Sequence, residues 1–235
     1  MGKDNIRYKN APLVEAVFEV RFPGEPVVEN RRDIFFEKIR DEYPNIHVPP
    51  IQPGSFPALE AYQYHNSDSS IIVMTALNRF SVSTKRYSGF SSFKNVILGL
   101  SKEFDNCYKL KKVNRIGLRY INIIPFIRED DIVPMNKFFN LSFNLPSSMS
   151  KEYSNLNLVL TSKLEAGLIT IKIASMLSDN RKDEALLLDF DFAKEHELRF
   201  SDIEKHLEEG HLVTKKIFEE LITDEYREYI KGDVV

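Results

Sequence analysis

From Leu13 to Phe22 the chain alternates almost residue by residue. Val14, Ala16, Phe18, Val20 and Phe22 fall on one side, and Glu15, Val17, Glu19 and Arg21 on the other. A period of two is the signature of a strand with one buried face. A second such stretch runs from Val113 to Pro125. Ile116, Leu118, Tyr120, Asn122 and Ile124 share one side, and Arg115, Gly117, Arg119, Ile121 and Ile123 the other. A slip of one residue would turn every apolar side chain outward, so strands patterned this strongly commit the chain to a sheet with a covered face.

The remaining elements follow from punctuation and periodicity. Pro23-Gly24 ends the first strand, and Ile34, Phe35, Ile39 and Tyr43 predict a helix over 32–43. After the Pro-rich crossover 49–54, strands are expected at Leu59–His65, Ser70–Ala76 and Arg79–Tyr87. Ser91 or Ser92 is expected to cap a helix reaching Tyr108, with Phe93, Val96, Ile97, Leu100 and Phe104 inward. The second half predicts a short helix at 135–140 and strands at Leu156–Leu164, Leu168–Met176 and Ala185–Ala193. Ser178–Asp183 reads as a polar loop before the last of these. A capping box at Ser201–Glu204 opens a long helix, with Ile203, Leu207, His211, Thr214, Phe218 and Leu221 on its stripe. Thr223 is placed to cap a final turn. Antiparallel meanders followed by helices predict an α+β fold. It is read as one unit over 1–235, divisible into subdomains 1–130 and 131–235.

A chain of 235 residues can bury a sizeable core. Its single cysteine, Cys107, excludes an intramolecular disulfide and multi-thiolate zinc sites, which fits a reducing cytoplasm. Met1–Asn10 is polar, so no signal peptide is expected. Apolar runs such as Ile71–Met74 fall far short of the roughly 20 residues of a membrane span. No membrane partner and no cofactor are expected.

The net charge of -3 conceals an uneven distribution. Between Arg79 and Arg119 stand ten basic and two acidic residues, and between Asp183 and Glu228 fifteen acidic and six basic. This asymmetry suggests mutual recognition of charged surfaces, within one chain or between copies.

Three sets of residues carry candidate chemistry. On the two signature strands, Glu15 and Glu19 stand against Arg115 and Arg119 with Tyr120 beside them. Neighbouring strands would let the charges pair across the ladder. Alternatively the arginines would grip a carboxylate or phosphate. In the basic middle, Lys85, Arg86, Lys94, Lys111 and Lys112 are interleaved with aromatic residues, a pattern compatible with nucleic-acid binding. In the acidic segment, Asp189 and Asp191 alternate on one strand and would suit a divalent metal in a hydrolase or nuclease. His206 and His211 lie five apart, about 140° around a helix, and cannot serve one metal together. No nucleophile elbow, Walker loop or G-x-G-x-x-G motif is present.

The opening segment Ala11–Phe22, the block Phe80–Phe90 and the block Arg115–Asn122 resemble a sporadically distributed family of uncharacterised prokaryotic proteins. That family shares the N-terminal pattern P-L-x-E-A-x-F-E-x-R-F. The closing acidic strand and His-containing helix are similar too. The family pattern often carries Trp where Phe90 stands here. The resemblance lends no catalytic residue. It implies an accessory gene, with a link to phage defence as one expectation. The reading reached is a non-enzymatic binding or interaction protein that self-associates or meets the product of a neighbouring gene. The alternatives are the metal-dependent hydrolase and the nucleic-acid binder.

Overall fold

The computed structural model describes residues 8–48, 61–128, 130–149, 152–176 and 183–232. Strand β1 (Leu13–Arg21) has both edges occupied. Six further strands take their places around it: β2 (Asn45–His47), β3 (Tyr62–His65), β4 (Ile71–Ala76), β5 (Arg79–Thr84), β6 (Val113–Pro125) and, beyond them, β7 (Asn157–Lys163). With β8 (Leu168–Met176) and β9 (Ala185–Leu198) they form one nine-stranded antiparallel sheet, in the order β2-β3-β4-β5-β1-β6-β9-β8-β7. The pairing of β6 with β9 makes the sheet continuous across the two halves of the chain. The α+β expectation holds.

Register sets the two faces. Phe18 lies opposite Val82 of β5 and Leu118 of β6, and Leu118 lies opposite Phe192 of β9. All strand residues in both hydrophobic clusters share this face. The helices cover it: α1 (Pro26–Asn30), α2 (Arg32–Ile39), α3 (Phe90–Tyr108), α4 (Met135–Phe138), α5 (Ile203–Leu221) and α6 (Asp224–Lys231). Phe35 of α2 meets Phe80 and Phe104 edge-on, at centroid distances of 6.1 and 5.4 Å. Full burial of each such side chain contributes about 1.5–3 kcal/mol. The second cluster gathers Phe190 and Leu188 of β9 with Ile222, Tyr226 and Ile230 at the C-terminal end.

Several boundaries differ from expectation for local reasons. A register shift between Leu13 and Glu15 leaves Val14 as the extra residue of a bulge, 43% exposed rather than on the core side. Strand β5 stops at Thr84, whose hydroxyl accepts from the Arg86 N–H and turns the chain. Neither Ser91 nor Ser92 caps α3; Gly89 does, at φ 124°, without a side-chain hydrogen bond. The long helix opens through a 3-10 turn, Phe200–Asp202. Asp202 accepts from the Arg199 N–H at 2.9 Å, in place of a Ser201–Glu204 box. Thr223 does cap α6, accepting from the Tyr226 N–H at 3.1 Å. The short elements α1 and β2 were not anticipated. The segment 49–54, the start of the strand expected from Leu59, and 178–182 of the polar loop lie outside the described residues. Among the described residues no helix is long and apolar enough to cross a membrane.

Candidate functional site

The sheet face without helices carries the charges singled out on the signature strands. Arg115 reaches from β6 to both neighbouring strands. Its Nη1 donates to Glu19 at 3.2 Å, and its Nη2 donates to the two oxygens of Asp191 at 2.6 and 2.7 Å. Arg119 makes a two-pronged bond to Asp189, Nε at 2.8 Å and Nη2 at 2.6 Å. Glu19 is further held by Arg21 at 2.6 Å. Gly117 has a specific reason to be glycine. A Cβ there would lie 2.9 Å from the Arg115 guanidinium carbon, so the bare backbone lets that guanidinium lie over the strand.

The basic middle and the acidic end therefore meet within one chain. They do so at the β6–β9 ladder and again where Lys94 of α3 reaches Glu204 and Glu208 of α5, at 3.2 and 2.7 Å. Asp189 and Asp191 already serve arginines. Among the described residues no group of three or more His, Cys, Asp or Glu side chains is gathered for a metal. Tyr120 does not belong with Arg115 and Arg119: it points to the opposite, helical face. The basic residues divide as well. Lys85 and Arg86 stand at the N-terminal end of α3, with Arg86 paired to Asp68 at 2.7 Å. Lys111 and Lys112 follow its C-terminal end. A helix of 19 residues separates the two groups by about 28 Å.

The helical face holds a cleft of about 1360 Å³ between α3, α5 and the segment preceding β1. Its floor is the sheet, through Tyr120, Asn122 and Phe190. Its walls include Phe90 at the start of α3, and His211, Leu212, Thr214 and Phe218 of α5. Lys9, Lys85, Arg86 and Lys215 bring basic character. Two carboxylates also line it. Glu208 accepts from Lys94, and Glu219 accepts from the Tyr8 hydroxyl at 2.7 Å and from Arg227 at 3.3 Å.

Inside the cleft the polar groups are linked. His211 Nδ1 lies 3.1 Å from the Tyr120 hydroxyl, which lies 3.4 Å from that of Tyr87. The imidazole stacks on Phe90 with centroids 4.0 Å apart. Burial, reinforced by nearby Lys215, pushes His211 down to about 4. Burial also holds the Tyr120 phenol well above its ordinary value. Thr214, one turn beyond His211, is 3% exposed, and its hydroxyl has no hydrogen-bond partner among the described residues. A buried hydroxyl without a partner is costly and rare in a native interior.

Sequence reasoning placed His211 and Thr214 on the stripe of α5 and Tyr120 on the inner face of β6, but did not join them. The signal was present as polar side chains at core positions of two elements. The segments quoted above for their resemblance all reach this cleft: Ala11–Leu13, the end of 80–90, the inner face of 115–122, Phe190 of the acidic strand and the long helix. Neither the protein-family models nor the curated proteins provide a match to this chain.

Proposed function

We propose that this chain is a non-enzymatic binding protein whose ligand is a small organic anion with a flat ring, held in the cleft between β6, α3 and α5. The observation that carries this reading is the composition of the cleft. Aromatic and aliphatic side chains line an open cleft, lysines bring positive charge to it, and its two carboxylates are already engaged. A concave, mostly apolar site with a few convergent polar groups is the usual form of a small-molecule site. The flat body would lie against Phe90, Leu212 and Phe218, and the anionic group toward Lys9, Lys85 and Lys215.

Binding is favoured over catalysis because burial moves both members of the hydrogen-bonded His211–Tyr120 pair away from neutral pH. His211 at about 4 is a weak base, and Tyr120 is a reluctant acid. Calorimetric titration of the full chain with AMP tests the reading, with adenosine and inorganic phosphate as half-ligand controls. AMP is expected to bind, and each half at least about tenfold more weakly. Phe90→Ala and Lys85→Glu should each weaken AMP. The absence of AMP binding at millimolar concentration, or binding indifferent to both variants, rejects the proposal.

A further inference from the structure

The sheet ends on one side at β7, and the hydrogen bonds of its hairpin fix which backbone groups face outward. Leu164 and Gly167 exchange both backbone bonds, at 2.8 and 3.3 Å, and the Ser175 N–H donates to the Leu156 carbonyl at 2.8 Å. In an antiparallel ladder such pairs recur every second residue. With the observed register, Leu158, Leu160 and Ser162 bond to β8. The N–H and C=O groups of Asn157, Val159, Thr161 and Lys163 therefore point away from the sheet, and none has a backbone partner there among the described residues.

Native sheets usually blunt such an edge with proline, a bulge, inward charges or a covering segment. From Asn157 to Ser162 this strand has no proline, no charge and no register shift. All its residues except Leu158 are exposed. Val159 is 57% exposed on one face and Leu160 49% on the other. Among the described residues the edge is thus unpaired and regular, with one exposed aliphatic side chain, Val159 or Leu160, near the middle of each face.

We propose that β7 pairs antiparallel with β7 of a second copy, about a twofold axis passing through Leu160. This register uses the whole strand. Asn157 meets the second copy's Lys163, Val159 meets Thr161, and each of these pairs exchanges two backbone hydrogen bonds. Leu160 meets its own symmetry mate as a close, non-hydrogen-bonded pair, and Leu158 meets Ser162. The single charge, Lys163, lies opposite an amide at either end, so no like charges are opposed. Centring the axis on Val159 or Thr161 keeps the hydrogen-bond parity but shortens the ladder. The occupant is a second copy because the same seven residues supply both complementary halves, the isologous arrangement that closes a dimer.

Cysteine cross-linking tests the register in a Cys107→Ser background. Non-hydrogen-bonded antiparallel partners have Cα atoms about 4.5 Å apart, within the span of a disulfide. Leu160→Cys should give a covalent dimer on mild oxidation. Leu158→Cys should not, because its own copy lies about 13 Å along the strand. Native mass at about 100 µM, far above the Kd expected of a specific dimer, should be that of a dimer for the unaltered chain. Val159→Lys and Val159→Pro should give monomers. Val159→Pro removes an outward N–H and leaves the β8 ladder in place. A monomeric unaltered chain overturns the proposal. So does a dimer that both Val159 variants leave intact, or equal cross-linking at 158 and 160. A monomer whose β7 edge instead captures an extended segment of another protein also overturns it.

Discussion

The imidazole of His211 lies flat on the ring of Phe90, their planes within 5° and their centroids 4.0 Å apart. Phe90 is the first residue of α3, and His211 lies near the middle of α5. The contact therefore ties the mouth of the cleft to the helix that walls it. An aromatic pair of this kind contributes about 0.5–1.5 kcal/mol beyond the area it buries. Because Nδ1 is also engaged with Tyr120, the ring is fixed in plane as well as in position.

Acid should loosen this arrangement. His211 is held at about 4, against 6.5 when unperturbed, because burial disfavours its charged form. Between those values the unfolded chain binds a proton that the folded chain does not. The stabilising difference is fully present above 6.5, declines as pH falls, and is gone below about 4. The loss is on the order of 3 kcal/mol at most. His211→Phe retains the stack and removes the titration. Thermal midpoints measured from pH 7.5 to 4 should fall less steeply in that variant, and parallel curves would refute the assignment.

How much of this was legible in the chain depended on what each residue's neighbours were. β6 and β8 begin and end where their alternation does, because β6 keeps one face buried from Ile116 to Ile124 and β8 sets Ile169 and Ile173 into the core on one face. β9 runs on past Ala193 to Leu198, where Lys194-Glu195-His196-Glu197 offers no apolar face to read. The ion pairs were half legible. The charges were visible on each strand, but that β9 lies beside β6 is set by packing between segments about 70 residues apart in sequence. Tyr120 and His211, 91 apart, form their contact only once α5 has folded across the sheet. Val14 leaves the core side against the alternation around it because a bulge inserts a residue without changing the neighbouring composition.

Arg119 and Asp189 should respond asymmetrically to substitution. Asp189 has only 9% of its side chain exposed, whereas Arg119 has 47%. Arg119→Ala leaves a nearly buried carboxylate without its partner. It should cost about 2–4 kcal/mol, somewhat below the range for fully buried pairs because solvent can reach the vacated space. The apolar double variant Arg119→Met/Asp189→Leu should come within about 1 kcal/mol of the parent. Urea denaturation of the three proteins measures this, and a double variant as unstable as Arg119→Ala contradicts the argument.

Gly210 and Gly117 both exclude a side chain, but with different consequences. A Cβ at Gly210 would lie 2.6 Å from Cδ1 of Phe192, a ring 1% exposed on β9. That ring has nowhere to move, so α5 would be pushed off the sheet. Gly210→Ala gains about 1 kcal/mol of helix propensity but should lose more to overpacking, for a net cost of about 1–2 kcal/mol. At Gly117 the obstacle is the movable end of Arg115. Gly117→Ala should displace that guanidinium and cost less, about 1 kcal/mol, through weakened bonds to Glu19 and Asp191. Chemical denaturation ranks the two variants, and the reverse order counts against this packing.

Thr214 offers the sharpest separation between folding and binding. Its hydroxyl is buried at the wall of the cleft with no partner among the described residues, and burying a hydroxyl in that way carries a desolvation cost. Valine has nearly the same shape and no hydroxyl. Thr214→Val should therefore stabilise the unliganded chain by about 1 kcal/mol, a rise of about 2–4 °C in thermal midpoint. The same change removes a group that a ligand would satisfy, so AMP affinity should fall by about three- to tenfold. A hydroxyl serving only the fold predicts the opposite pair of results: a lower midpoint and an unchanged affinity.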